Sequence, residues 1–156
     1  MVDQLFEVYV WRSIAETIKA ALPTTYVIEP GMRRAAPEDK QEWVTIDPLS
    51  FSPANSRRGT YDGQELFQVS CFAKYAETQP DAVLDVPFRL AAKVRAALEK
   101  GDILVKSYGV TPEVFIGTLK LHAFNRQYLG ENALGIDQPA NAHAVVLTAQ
   151  GTLNAA

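Results

Sequence analysis

Along the first part of the chain, Val10 and Trp11, Ile14, Ile18 and Leu22 recur at three- and four-residue steps, with Glu7, Arg12, Glu16 and Lys19 between them. That spacing predicts an amphipathic helix, with Asp3 as its candidate N-cap and Pro23 ending it. Tyr26 to Glu29 is short and β-prone, and residues 31–41 carry the Gly, Pro and charge content of an exposed loop. A second strand is predicted from Glu42 to Phe51. Pro48 has no backbone donor, so it places that strand on an edge or at a bulge. Residues 52–64 again read as a loop. From Glu65 to Tyr75, Phe67, Val69, Cys71 and Ala73 alternate with Gln68, Ser70, Phe72 and Lys74, the period of a half-buried strand. Phe72 breaks the pattern as an aromatic on the polar face, open to covering a helix edge or to meeting another subunit.

The remainder reads the same way. Asp81 to Lys100 carries Val83, Pro87, Leu90 or Ala91, Val94, and Ala97 or Leu98 along one helical face, with a turn up to Asp85, the main helix from about Val86, and Gly101 as the stop. Ile103 to Ser107 is a brief strand. Val114 to Leu129 is long enough for a strand that projects beyond its sheet, residues 130–142 form a third loop, and His143 to Thr148 forms a last strand. Residues 150–156 are expected to fray. The elements predict one mixed α and β domain spanning residues 1–156.

Bulk properties narrow the class. With 156 residues, 47% hydrophobic and 21% charged, the chain can bury enough apolar surface to fold as one domain. A net charge of −3 and a pI of 5.4 argue against a protein whose main task is to grip nucleic acid. One cysteine, Cys71, cannot close an internal disulfide, so the expected place of synthesis is a reducing cytoplasm. Asp3 and Glu7 interrupt the N-terminal apolar residues, which excludes a signal-peptide reading, and no apolar run reaches the ~18 residues of a membrane span. The expectation is a soluble protein with no membrane partner.

The search for chemistry yields little that a reaction could use. The chain has no nucleophile elbow, no phosphate-cradling glycine loop and no paired cysteine or histidine metal spacing. His122 and His143 fall on two strands that could be neighbours, but no third ligand is indicated. Cys71 keeps phase with Val69 and Ala73, so it reads as a core thiol rather than a nucleophile. Glu38, Asp39 and Glu42 sit among lysines and a proline and read as a solvated loop. The expectation is therefore no enzyme, no cofactor and no metal. The residues left over are Arg33 and Arg34 in one loop, Arg57 and Arg58 in another, and the large apolar groups Trp43 and Phe72. They are the candidate subunit-interface or lumen residues, the arginines being suited to a neighbour's carboxylates or to phosphates.

An N-terminal helix ending in AALP, a β-prone stretch and loop, the loop and strand RRGTYDGQELFQVSCFAKY, the helix AAKVRAALEKG and the following strands together resemble tail-terminator and minor tail proteins of long-tailed bacteriophages. The likeness is one of pattern over most of the chain. It implies an α+β fold: a mixed, mainly antiparallel sheet with the N-terminal helix and a second helix packed on one face. It also implies a structural virion protein that assembles with itself as a ring, a hexamer, on the head-proximal end of the tail. Its partners would be the tail tube protein and the head-tail connector protein, with DNA passing through the lumen without sequence-specific binding. Pro37, Pro48 and the loop at 130–142 have no counterpart in that pattern. A neck or head-completion protein, or a small ligand-binding or catalytic domain with a convergent pocket, stands as the alternative.

Overall fold

The computed structural model describes residues 6–32, 39–53, 62–74, 85–108, 112–129 and 142–155. In chain order these form α1 (Phe6–Ala21), β1 (Tyr26–Ile28), β2 (Glu42–Pro53), β3 (Gly63–Lys74), α2 (Asp85–Glu99), β4 (Ile103–Ser107), β5 (Val114–Leu129) and β6 (Ala142–Ala155). The predicted Asp3 cap, Val83 and most of the predicted loops lie outside the described residues. The strands make one six-stranded sheet in the order β1-β2-β3-β6-β5-β4. Only β1 and β2 pair in parallel; the other pairings are antiparallel. The fold is α+β, as the resemblance implies.

The core follows from alternation. On the inner face, Val44 and Ile46 of β2, Phe67, Val69 and Cys71 of β3, and Val145, Leu147 and Ala149 of β6 are buried. Against them pack the stripe Val10, Ile14 and Ile18 of α1 and the stripe Leu90, Val94 and Leu98 of α2. Pro87 lies in the first turn of α2, where its missing N–H costs nothing, and is itself buried. On the outer face a smaller cluster of Ile28, Trp43, Phe72, Ala142 and Ala144 is also buried. Both faces of the sheet are therefore closed at the end where β1 pairs, which is why β3 reads as buried almost continuously from Val69 to Ala73.

Helix α1 lies against β4 as well as α2. The Ser13 hydroxyl donates to the Tyr9 carbonyl at 2.7 Å and accepts the Lys106 backbone N–H at 3.3 Å. That amide turns away from β5 at the sheet's outer limit, and Ser13, 2% exposed, is what satisfies it. Ser13→Ala should lower the unfolding free energy by about 1 kcal/mol in a urea titration, the usual net contribution of an intramolecular hydrogen bond.

Three expectations change. The tail read as frayed is the second half of β6: Gly151 to Leu153 pair with Glu65 to Gly63 on one side, and Gly151 to Ala155 with Leu121 to Gly117 on the other. Gly151 is a close-approach glycine in the middle of the sheet. A Cβ there would sit 2.7 Å from Leu121 Cδ2 and 2.8 Å from the Lys120 carbonyl oxygen. The strand β5 does not project either, because Leu129 still pairs with Ala144 of β6. What is unusual is its other side: β4 pairs with Val114 to Leu119 and no described strand pairs beyond that point. The loop read at 52–64 shortens as well, since Ser52 and Pro53 pair with Gln64 and Gly63.

Candidate assembly surface

The structure treats the candidate residues unequally. Arg33, Arg34, Arg57 and Arg58 lie outside the described residues. Trp43 and Phe72 are opposite each other in the β2–β3 register and stack with ring centroids 5.1 Å apart and planes 6° apart. They are 0% and 1% exposed. The two aromatics named as interface or lumen candidates are thus spent inside the chain, each on the other, and neither presents a ring to a neighbour. The reason is geometric, since β1 and β6 flank this row and bring Ile28, Ala142 and Ala144 onto the same outer face.

The groups weighed for chemistry separate. His143 is buried in β6 and its Nδ1 lies 3.2 Å from the Tyr128 hydroxyl. His122 is exposed at the irregularity between Leu121 and Ala123, opposite the Gln150–Gly151 part of β6 and so about half the length of β6 away from His143. Among the described residues no three His, Cys, Asp or Glu side chains gather as a metal site would need. Cys71 is fully buried, and burial, with Glu42 adding a repulsive charge, pushes its thiol far above the usual range. Asp39 and Glu42 are exposed, and Glu38 lies outside the described residues.

One residue was passed over. Glu65 keeps phase with Phe67, Val69 and Cys71, so the alternation that identified the strand also sends this carboxylate inward. It is 1% exposed beneath α1. Oε1 accepts the Trp11 indole N–H at 3.3 Å, while Oε2 has no hydrogen-bond partner. Burial pushes its pKa up to about 7; the Trp11 bond works in the opposite direction and the Glu7 charge in the same one.

The features that remain exposed cluster at the sheet margins. Apart from Val8 on α1, the large apolar residues that stand out to solvent among the described residues are Tyr26, Met32 and Leu49 near β1 and β2, and Leu104, Val114, Phe115 and Tyr128 on β4 and β5. Leu49 is turned out by the irregularity between Pro48 and Ser50, so Pro48 does sit at a bulge, on a stretch of β2 that β1 does not reach. At the other margin a layer of rings and cations ties β5 to α2. Phe88 stacks on Tyr128 at 5.7 Å, Arg126 lies over Phe88 at 5.2 Å, and Arg95 lies over Phe124 at 5.1 Å while bonding Glu99 at 2.9 Å. Arg95→Ala should cost no more than about 1 kcal/mol by denaturant titration, because the pair is exposed.

The outer face between these margins is polar with few charges. Gln64, Gln68, Thr148, Gln150, Thr152 and Asn154 alternate outward, and the Gln64 amide donates to Thr152 Oγ1 at 3.0 Å. Such a surface can meet protein or solvated polyanion without a strong field of either sign.

No protein-family model matches the chain. No curated protein matches it either. Solved structures do. One is a chain in the virion of a native gene transfer agent particle, with a TM-score of 0.58 and 14% identity, the alignment covering 97% of this chain and 99% of that one. Another solved chain matches with a TM-score of 0.54 and 12% identity over 99% of this chain and 96% of the other. At these identities the likeness establishes the fold: essentially the whole of this chain has the fold of a chain that forms part of a virion particle.

Proposed function

We propose that the protein is a structural component of a phage-like particle, a tail terminator that sits as a ring on the head-proximal end of the tail tube and offers the docking surface for the head connector. The observation that carries this reading is the match to a chain of a gene transfer agent virion over 97% of this chain and 99% of that one. The location of the exposed apolar groups supports it, since a ring subunit meets its two neighbours through two different surfaces, and here they occupy opposite margins of one sheet. The polar outer face would suit a lumen through which DNA passes without being held. Hexameric copy number, tube protein and connector as partners, and a place in the virion after synthesis in the host cytoplasm belong to the same reading. So does the absence of a catalytic, cofactor or metal role.

The test is to purify particles from cells that carry the gene, identify the chain in them by mass spectrometry, and locate an epitope-tagged copy by immunogold electron microscopy. Label at the junction of head and tail is expected. A chain missing from particles, or label spread along the whole tail, contradicts the terminator reading; label on the head shell or on the connector side alone favours a neck or head-completion protein instead.

A further inference from the structure

Glu65 occupies a place that does not suit an ionised carboxylate. It lies on the inner face of β3, between Phe51 of β2 and Gly151 of β6 in the paired register. The strand that carries it is bonded on both sides and cannot swing it out to water. The residue is 1% exposed. Oε1 accepts one bond from the Trp11 indole at 3.3 Å, and Oε2 accepts none. An ionised carboxylate has room for about four hydrogen bonds, and a single long one does not replace the water it has lost.

Among the described residues no cation faces this carboxyl. From α1 the charge that reaches it is that of Glu7, one turn before Trp11, and it is repulsive. Arg12, the next residue along the helix, lies over the Tyr108 ring at 4.9 Å, and Lys19 is bonded to Glu29 at 3.1 Å. In β2, Asp47 belongs to the opposite face, in the row of Gln68; in β5, Lys120 shares the outward row of Thr152. Arg95 of α2 and Arg126 of β5 lie over Phe124 and Phe88 at the far margin.

The cover over Glu65 is the start of α1. Tyr9 and Val10 seat these turns on the core, but Glu7 and Trp11 are only half-buried and Val8 is 46% exposed. From Ser13 onward the helix is tied down, because Ser13 accepts the Lys106 amide and Ile14, Ala15 and Ile18 are fully buried. Trp11 also borders a hollow of about 300 Å³, lined further by Ile28, Glu29, Met32, Ile46 and Asp47, so the indole can shift without displacing the core.

We propose that the first two turns of α1, residues 6–12, are a pH-sensitive lid, seated while Glu65 carries its proton and lifting about Ser13 to admit water when Glu65 loses it. The device belongs to the single chain, whatever that chain assembles with. Ionisation strengthens the Trp11 bond, yet it leaves Oε2 without a donor and sets the new charge against Glu7. Lifting the two turns separates the acids and hydrates both. Because the carboxyl titrates at about 7 when covered and at 4.5 when in water, the ratio of lifted to seated copies rises about 300-fold between pH 4.5 and 8.

Thiol labelling measures the lifting. On a Cys71→Ala background, Val10→Cys puts one thiol on the inner side of the lid, while the unaltered chain carries its own at Cys71 in β3; both positions are 0% exposed. Each thiol is labelled with a disulfide reagent from pH 4.5 to 8. Each rate is divided by that of an unfolded peptide thiol at the same pH, which leaves the open fraction. Position 10 is expected to be open at least ~10-fold more often than Cys71 at every pH. Its open fraction should rise about 300-fold across the range, and Glu65→Gln should remove the rise. Equal open fractions at the two positions would show that only unfolding of the whole chain exposes position 10, and the lid is overturned. A flat profile overturns it too, as does a rise that survives Glu65→Gln. Should Val10→Cys fail to fold, Tyr9→Cys, at a position 6% exposed in the same two turns, is judged by the same outcomes.

Discussion

Raising the pH from 4.5 to 8 should destabilise the protein by roughly 3 kcal/mol, and Glu65→Gln should abolish most of that dependence. The folded state holds the Glu65 carboxyl away from water, so its pKa moves from 4.5 to about 7. Below pH 4.5 the group is protonated whether the chain is folded or not, and it contributes no pH dependence. Between 4.5 and about 7 the unfolded chain releases the proton while the folded chain keeps it, so the unfolded state gains and stability falls. Above about 7 the folded state is ionised too and the deficit stays constant. A shift of this size corresponds to roughly 3 kcal/mol at 1.36 kcal/mol per unit. Replacement by glutamine keeps an acceptor for the Trp11 indole but puts an amide where Oε2 has no partner, at a cost of about 1–2 kcal/mol. The variant should therefore be less stable than the parent at pH 4.5 and more stable at pH 8, and urea titrations at four pH values would trace the crossing. Parallel profiles for the two proteins would mean that some other group governs the dependence.

Gly151→Val should be the more damaging change, by about 3 kcal/mol or more, and Gly151→Ala should cost about 2 kcal/mol. The first atom added already meets Leu121 Cδ2 and the Lys120 backbone oxygen below 3 Å. Leu121 can rotate, but the carbonyl belongs to the β5 backbone at the irregularity between Leu121 and Ala123 and can move only by shifting the pairing of β5 with β6. Because β6 is the strand on which both halves of the sheet meet, the loss should appear as a lower midpoint in thermal and urea unfolding alike. An unchanged midpoint for Gly151→Val would show that the second half of β6 is not held in the sheet.

These two residues also mark where sequence reasoning runs out. The bounds of β4 and β5 and the faces of both helices were legible, because their apolar spacing is regular and Pro23 and Gly101 punctuate it. The end of β6 was not, since glycine and alanine near a terminus look the same whether they fray or pack closely, and only the neighbouring strand decides between them. Glu65 was legible in principle, as its parity with Phe67 and Val69 sends it inward, but a charged residue at the start of a strand is ordinarily read as its solvated end. For the assembly surface, the sequence picked out Trp43 and Phe72 by residue type alone. Aromatic residues suit cores and interfaces equally, and the row that joins these two is visible only once β2 and β3 are in register. The feature that now distinguishes the margins is a difference in strand lengths between neighbours, which no single segment of sequence encodes.

The reading of the chain as a ring that ends a tail is tested most directly by electron microscopy of particles made without the gene. Tails of irregular, extended length and heads left unjoined are the expected result, with both defects corrected when the gene is supplied in trans. Tails of normal length, joined normally to heads, would contradict it.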